Sequence, residues 1–258
     1  MPNKQVKLSV VLATFNEEKN IERCLKAVND LADEFVLVDG NSTDKTVEIA
    51  KNLGVRIFTT TNKPIFHINK QMAIDKARGE WILQLDADEV VSKKLKREIK
   101  QVIKNNNRRK VAYFIPRKNY FLGRWLRKGG QYPDYVIRFF RKGKARLPCK
   151  SVHEQMQVEG EVGYFKGHLL HYTAPKFSRY LINANRYTNL TVDKLKEEKV
   201  PINLQTNFKY LIWLPTKTFF SIFIRHKGFI DGFPGFIFAF FSGLHFPIAF
   251  IKYWKKKI

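Results

Sequence analysis

Two carboxylates one residue apart, Asp86 and Asp88, close a run of apolar residues, Trp81, Ile82, Leu83 and Leu85. Side chains so spaced in an extended or turning backbone converge on one cation, or on a cation and a ribose. Oxygen-only ligands suit Mg²⁺ or Mn²⁺, and Mg²⁺ takes one or two carboxylates with substrate phosphates filling other positions. The plain alternative is an acidic loop capping the helix that begins near Ser92, and Asp-x-Asp by itself does not separate the two. Two further polar loops, Thr14-Phe15-Asn16-Glu17 and Asp39-Gly40-Asn41-Ser42-Thr43-Asp44, each follow an apolar run in the same way.

The elements that must position these loops are readable from periodicity. Residues 7–13 (KLSVVLA), 35–38, 55–58 and 81–85 read as strands. Ile21, Leu25, Val28 and Leu31 recur at helical spacing, which predicts a helix over residues 18–31. Further helices are expected over residues 45–53, which N-cap residues precede, and over 65–77. Strands alternating with helices imply βαβ units and an α/β domain with a mostly parallel, doubly wound sheet, where ligands bind at strand carboxyl ends. Leu95, Ile99, Val102 and Ile103 mark another helix, residues 111–115 and 135–140 two more strands, and residues 178–199 a long helix.

Composition bounds the partners. The 258 residues carry 47 Lys and Arg against 23 Asp and Glu, a net charge of +24. Such a surface calls for an anionic partner: nucleic acid, an anionic membrane or an acidic substrate. Cys24 and Cys149 form neither a disulfide framework nor a metal set. Residues 8–15 are apolar, but Asn16-Glu17-Glu18 stands where a signal peptide would need small residues for cleavage, so the expectation is the cytoplasmic side.

The loops at residues 14–17, 39–44 and 86–88, in that order along the chain and together with the helix ending Ala77-Arg78-Gly79-Glu80 ahead of the central strand, resemble family 2 glycosyltransferases of the GT-A fold. Within that family the chain resembles bacterial lipopolysaccharide-core glucosyltransferases of the β-1,4 type, through residues 129–134 (GGQYPD), 138–141 (RFFR), 152–154 (VHE) and 170–172 (LHY). The processive Gln-x-x-Arg-Trp element is incomplete, because Phe121 stands three before Arg124-Trp125, so one sugar per encounter is expected.

The resemblance implies an inverting, metal-dependent hexosyl transfer from a UDP-sugar to a lipid-linked or lipopolysaccharide-core acceptor. It places Thr14, Asn16, Glu17 and Asp39 in the base pocket, with Asp39 accepting from a uracil N–H; an Asx turn is the local alternative for Asp39. Lys70 falls where the family carries a diphosphate-binding basic residue, although a solvated helix lysine reads the same way. Asp86 is expected to touch the ribose or the metal, and Asp88 the Mn²⁺ or Mg²⁺ ion. Glu154 is the expected catalytic base, with Asp134 the second candidate. His153 is left outside the metal set. A nucleic-acid-binding protein and a nucleotidyltransferase on a similar sheet are the rival classes. Acids at the strand ends oppose the first, and the absence of glycine from residues 14–18 opposes the second.

Organisation follows from texture. Residues 1–205 are expected to form the GT-A domain, with 1–90 the nucleotide-sugar half and 91–205 the acceptor half. Residues 206–258 read as a membrane-associating helical tail. Residues 232–251 are uncharged, and as one helix would reach about 30 Å, enough to cross a bilayer. Pro234, Gly235, Gly243 and Pro247 are expected to interrupt that helix. Basic residues flank it on both sides (Arg225 and Lys227 before, Lys252 and Lys255 to Lys257 after), which favours a monotopic, peripheral position on the anionic cytoplasmic leaflet of the inner membrane.

Overall fold

A computed structural model describes residues 6–105, 109–150, 154–174 and 177–256. The first strands and helices are β1 (Leu8–Thr14), α1 (Ile21–Lys26), β2 (Glu34–Asp39), α2 (Thr46–Asn52), β3 (Arg56–Thr59), α3 (His67–Lys76) and β4 (Trp81–Leu85). These alternate as expected, and β3, β2, β1 and β4 lie side by side, all parallel. Every residue of β4 is buried, the signature of a strand covered on both faces. Its neighbour β1 approaches so closely at Gly79 that a Cβ there would meet the Ser9 nitrogen at 2.6 Å. Helix α1 is shorter than the apolar spacing predicts; beyond Lys26 the chain continues through turns while Val28 still packs into the core.

Past β4 the sheet becomes mixed. A short strand, β5 (Glu89–Val91), leads into α4 (Lys93–Asn105) and β6 (Lys110–Phe121). Next come β7 (Arg124–Trp125), β8 (Asp134–Arg141), β9 (Ala145–Arg146), β10 (Gln157–Val158), β11 (Glu161–Tyr164) and β12 (Leu169–Ala174). The order runs β3-β2-β1-β4-β8-β6-β12-β5. Trp81 stacks on Phe139 across β4 and β8, with centroids 4.5 Å apart and planes 3° from parallel. Such a pair contributes roughly 0.5–1.5 kcal/mol beyond its buried area. The result is a mixed sheet with helices on both faces, as the GT-A resemblance implies.

By compactness the chain divides into two units: Met1–Arg117 with Asp134–His171, and Lys118–Pro133 with Tyr172–Ile258. The second unit is built on α5 (Phe177–Glu197), α6 (Leu204–Phe208), α7 (Leu214–Phe220) and α8 (Gly232–Lys255). Residues Lys209–Trp213 and Ser221–Arg225 join and extend α6 and α7 in π geometry. Helix α8 packs on both α5 and α7. It is unbroken over 24 residues, contrary to the expected interruptions. Pro234 falls in the first turn, where a missing N–H costs nothing. Gly235 and Gly243 serve instead as notches: a Cβ on them would meet the Gly228 carbonyl at 2.2 Å and the Pro215 carbonyl at 2.8 Å.

Candidate active site

The parallel register brings the carboxyl ends of the first strands to one edge. Thr14 pairs with Asp39, and Leu12 with Leu85, one residue before Asp86. Because β8 runs antiparallel to β4, its first residue, Asp134, falls at the same edge, opposite Arg117 of β6.

At the β1–β2 end, two loops are tied together by short polar side chains. The Asn16 N–H donates to Ser42 Oγ at 2.9 Å, and Asn16 Oδ1 accepts from the Thr43 N–H at 2.8 Å. Asn16 holds φ at 56°, a left-handed conformation that Asn tolerates. The Glu17 N–H donates to Thr46 Oγ1 at 2.8 Å, while the Glu17 carboxylate accepts from Asn20 Nδ2 at 2.7 Å. Asp39, 1% exposed, accepts from the Ser42 N–H at 2.8 Å, from Ser42 Oγ at 2.6 Å and from Thr14 Oγ1 at 3.3 Å. The Asp39 carboxylate thus holds the loop after it through the residue three ahead, rather than through the i+2 contact of an Asx turn. Thr14, Asn16, Glu17 and Asp39 are brought into one loop pair, and the Phe15 ring beside them is 41% exposed.

At the β4 end lies a dense ionic network. Lys70 Nζ reaches Asp86 Oδ1 at 2.5 Å, and Arg138 Nη2 reaches Asp86 Oδ2 at 2.6 Å. Lys70 is 7% exposed, so the solvated reading of this lysine does not hold. Arg138 also donates to Gln84 Oε1 and pairs with Glu89 Oε1 at 3.3 Å. Glu89, fully buried, accepts the Asp86 N–H at 3.0 Å and faces Arg117 at 3.5 Å. Arg117 in turn holds Asp134 Oδ2 at 2.7 Å. Burial alone would raise the Asp86 carboxyl, but Arg138 and Lys70 outweigh it and hold it far below the usual range. Burial lowers the Lys70 ammonium, with Asp86 pulling against it.

A β-bulge aims Arg138 into this network. Tyr113 pairs with Phe139 but Phe114 pairs with Ile137, leaving Arg138 as the extra residue. Such an insertion re-aims a side chain, at the cost of a local bend and stronger twist in the strand.

Asp88 stands apart. Its Oδ2 lies 3.5 Å from His171 Nε2, and His171 pairs with Glu89 across β12 and β5. Burial works to lower the His171 imidazole, but Asp88, by charge and hydrogen bonding, holds it above its usual value. Four carboxylates (Asp86, Asp88, Glu89, Asp134) therefore meet three cations (Lys70, Arg117, Arg138), and Asp88 is the one that faces His171. A divalent ion fits here. Two donors each about 2.1 Å from one ion lie about 3.0–3.4 Å apart, close to the Asp88–His171 separation. Among the described residues no three His, Cys, Asp or Glu side chains converge, so substrate oxygens and water would complete the coordination.

Of the two candidate bases, Asp134 is bound to Arg117 within this network. Glu154 accepts the Lys150 N–H with both carboxylate oxygens at 2.9 Å and has no described bond to the Asp86 cluster. Val152 and His153 lie outside the described residues. Sequence reasoning passed over Glu89, Arg117, Arg138 and His171. One signal was available: three acids within residues 86–89 of a buried sheet require buried cations, and Arg117 and Arg138 are the arginines of the neighbouring strands' site ends.

A model of glycosyl transferase family 2 matches residues 9–172. An uncharacterized glycosyltransferase of Rickettsia bellii (strain RML369-C) is 30% identical over 246 residues, 90% of this chain and 80% of that one. The lipopolysaccharide core biosynthesis glycosyltransferase LpsC of Rhizobium meliloti (strain 1021) is 26% identical over 258 residues, 91% of this chain and 90% of its own length. Among solved structures, S. aureus TarS 1–349 is 18% identical, covers 90% of this chain and 78% of that one, and superposes with a TM-score of 0.48, too loose to transfer residue roles.

Proposed function

The chain belongs to glycosyl transferase family 2, and on that premise we propose that it moves one sugar, with inversion, from a UDP-sugar to a hydroxyl of a lipopolysaccharide-core or lipid-linked acceptor. The observation that carries this reading is the Asp88–His171 pair beside a neutralised Asp86 at the strand edge. Asp88 and His171 would hold Mn²⁺ or Mg²⁺, an imidazole ligand favouring Mn²⁺, and the ion would offset charge on the leaving diphosphate. Thr14, Asn16, Glu17 and Asp39 take the base, with the Phe15 ring as a flat surface for it. Asp86 serves the ribose, and Lys70 the diphosphate.

Glu154 takes the proton of the acceptor hydroxyl as its oxygen bonds to the anomeric carbon. The bond from that carbon to the diphosphate breaks on the opposite side, and UDP leaves. Asp134, whose Oδ2 is already engaged by Arg117, fits acceptor positioning better. LpsC, named for lipopolysaccharide core biosynthesis, supports the acceptor class.

The same reading places the second unit on the cytoplasmic leaflet. Residues Gly228–Lys255 are long and apolar enough to cross a bilayer. Yet the C-terminal half of α8 is bound to polar side chains of α5: His245 Nε2 meets Thr191 Oγ1 at 2.9 Å, and Lys252 donates to Asn185, Thr188 and Asn189. A spanning α8 would draw α5, with Arg186, Asp193 and Lys194, into hydrocarbon, at a cost of about 2.5–3.5 kcal/mol per charged residue by insertion scales. Phe233 (70% exposed), Phe220 (56%) and Trp213 (53%) suit an in-plane position instead.

The test is a donor screen by UDP release, with membrane extract as acceptor and with or without Mn²⁺. Asp88→Asn should keep the fold and lose divalent-dependent UDP binding and turnover. Near-normal, Mn²⁺-dependent transfer by that variant would overturn the metal assignment.

A further inference from the structure

Beyond residue 200 the chain has one acid, Asp231, and it is 1% exposed. A carboxylate out of water is costly unless it is paired and hydrogen-bonded. Both oxygens of Asp231 face one short segment. Oδ2 accepts the Lys128 N–H at 2.8 Å, and Oδ1 faces Arg127 Nε at 3.6 Å. The turn around Asp231 grips that segment at further points. The Gly129 N–H donates to the His226 carbonyl at 2.9 Å, and Arg124 Nη2 to the Ile230 carbonyl at 3.5 Å. Gly129 lies so close that a Cβ would meet Ile222 Cγ2 at 3.2 Å.

The segment needs such a grip. Gly129 and Gly130 both adopt positive φ, 64° and 74°, a pair of conformations that glycine enters freely and leaves as freely. From there the contacts pass along the loop: the Gln131 N–H donates to the Lys128 carbonyl, and Asn119 Nδ2 donates to the Gln131 carbonyl at 3.3 Å. Three residues later the chain enters Asp134, the residue assigned above to acceptor positioning.

We propose that Asp231 is a positioning residue for the acceptor: the turn between the tail helices fixes residues 124–133, so the tail forms part of the acceptor apparatus as well as the membrane anchor. This rests on the functional reading above, and its test separates the two. Full-length wild type, Asp231→Asn and Asp231→Ala are compared for UDP affinity, for flotation on phosphatidylglycerol-containing vesicles and for acceptor KM. The acceptors are rough-type lipopolysaccharide and its water-soluble, deacylated core.

Loss of a hydrogen bond to a charged group predicts that Asp231→Ala raises KM for both acceptors about 10–100-fold. UDP affinity and flotation should not change. Asp231→Asn, which still accepts the Lys128 N–H, should recover most of the loss. A KM increase confined to the lipid-bearing acceptor, unchanged KM for both, or a parallel loss of UDP affinity would overturn the proposal. Wild type inactive on both acceptors would overturn the acceptor reading instead. Amide exchange then decides the clamp: Asp231→Ala should speed exchange at Lys128 and Gly129 about tenfold or more, for an opening made about 1.4 kcal/mol easier, and unchanged exchange overturns it.

Discussion

Replacing Arg138 by Met removes the cation that joins three partners, Asp86, Glu89 and Gln84. Met roughly conserves the aliphatic stem, so the loss is chiefly of charge and hydrogen bonds. Stripping one partner from a buried pair costs about 3–5 kcal/mol. The lower end applies here, because Asp86 keeps Lys70 at 2.5 Å and Glu89 keeps Arg117 at 3.5 Å. For a chain of this size about 3 kcal/mol corresponds to a fall in Tm of roughly 6–12 °C. Urea denaturation followed by tryptophan emission reports it, since Trp81 lies stacked on Phe139 in the same sheet. The discriminating variant is the double one, Asp86→Asn with Arg138→Met. If stranded charge is the cause, neutralising Asp86 should return at least about 1 kcal/mol relative to the sum of the single losses, the range seen for contacting pairs. Additive losses, or an Arg138→Met cost below about 1 kcal/mol, the range of a surface pair, would refute the charge argument.

Three further outcomes are expected. Glu154→Gln should keep UDP-sugar affinity while kcat collapses, because the proton acceptor acts in the chemical step alone; if Asp134→Asn shows that signature instead, the two roles are exchanged. Changing Trp213, Phe220 and Phe233 together to Ser should release the protein from anionic vesicles in a flotation assay and leave UDP binding intact, whereas retained flotation would place the membrane contact elsewhere. Asp30 is held down to about 2 from the usual 3.8, first by the hydrogen bond from Lys96 and then by that from Lys100. Its contribution is therefore present above about pH 4 and lost as pH falls through 2; Asp30→Asn should cost well under 1 kcal/mol near neutrality, about 0.5 or less in physiological salt, and a large or salt-independent loss would contradict this.

The parallel half of the fold was legible because its strands are apolar runs closed by polar turns, and β4 begins and ends as the sequence predicts. Strand β5 was not, since three residues after an Asp-x-Asp turn carry no periodicity, and nothing local marks Glu89 as buried. Arg138 was hidden for a different reason: pairing register, and hence the bulge, depends on the partner strand. Lys70 read equally well as solvated, because a helix shows which face a residue occupies and leaves unstated what packs over that face. His171 stood within a matched stretch, yet its approach to Asp88 follows from the β12–β5 pairing, which no local pattern announces.

That pairing has a bearing on synthesis. Asp88 follows the fourth strand of the chain and His171 lies on the twelfth, whose partner β5 carries Glu89. A nascent chain that has completed the parallel strands has the loops assigned to the nucleotide, but its acidic corner still lacks the imidazole and the strand that seats it. The Asp88–His171 pair proposed above to hold the metal therefore cannot form until residue 171 has left the ribosome, long after strands β1 to β4 have been made.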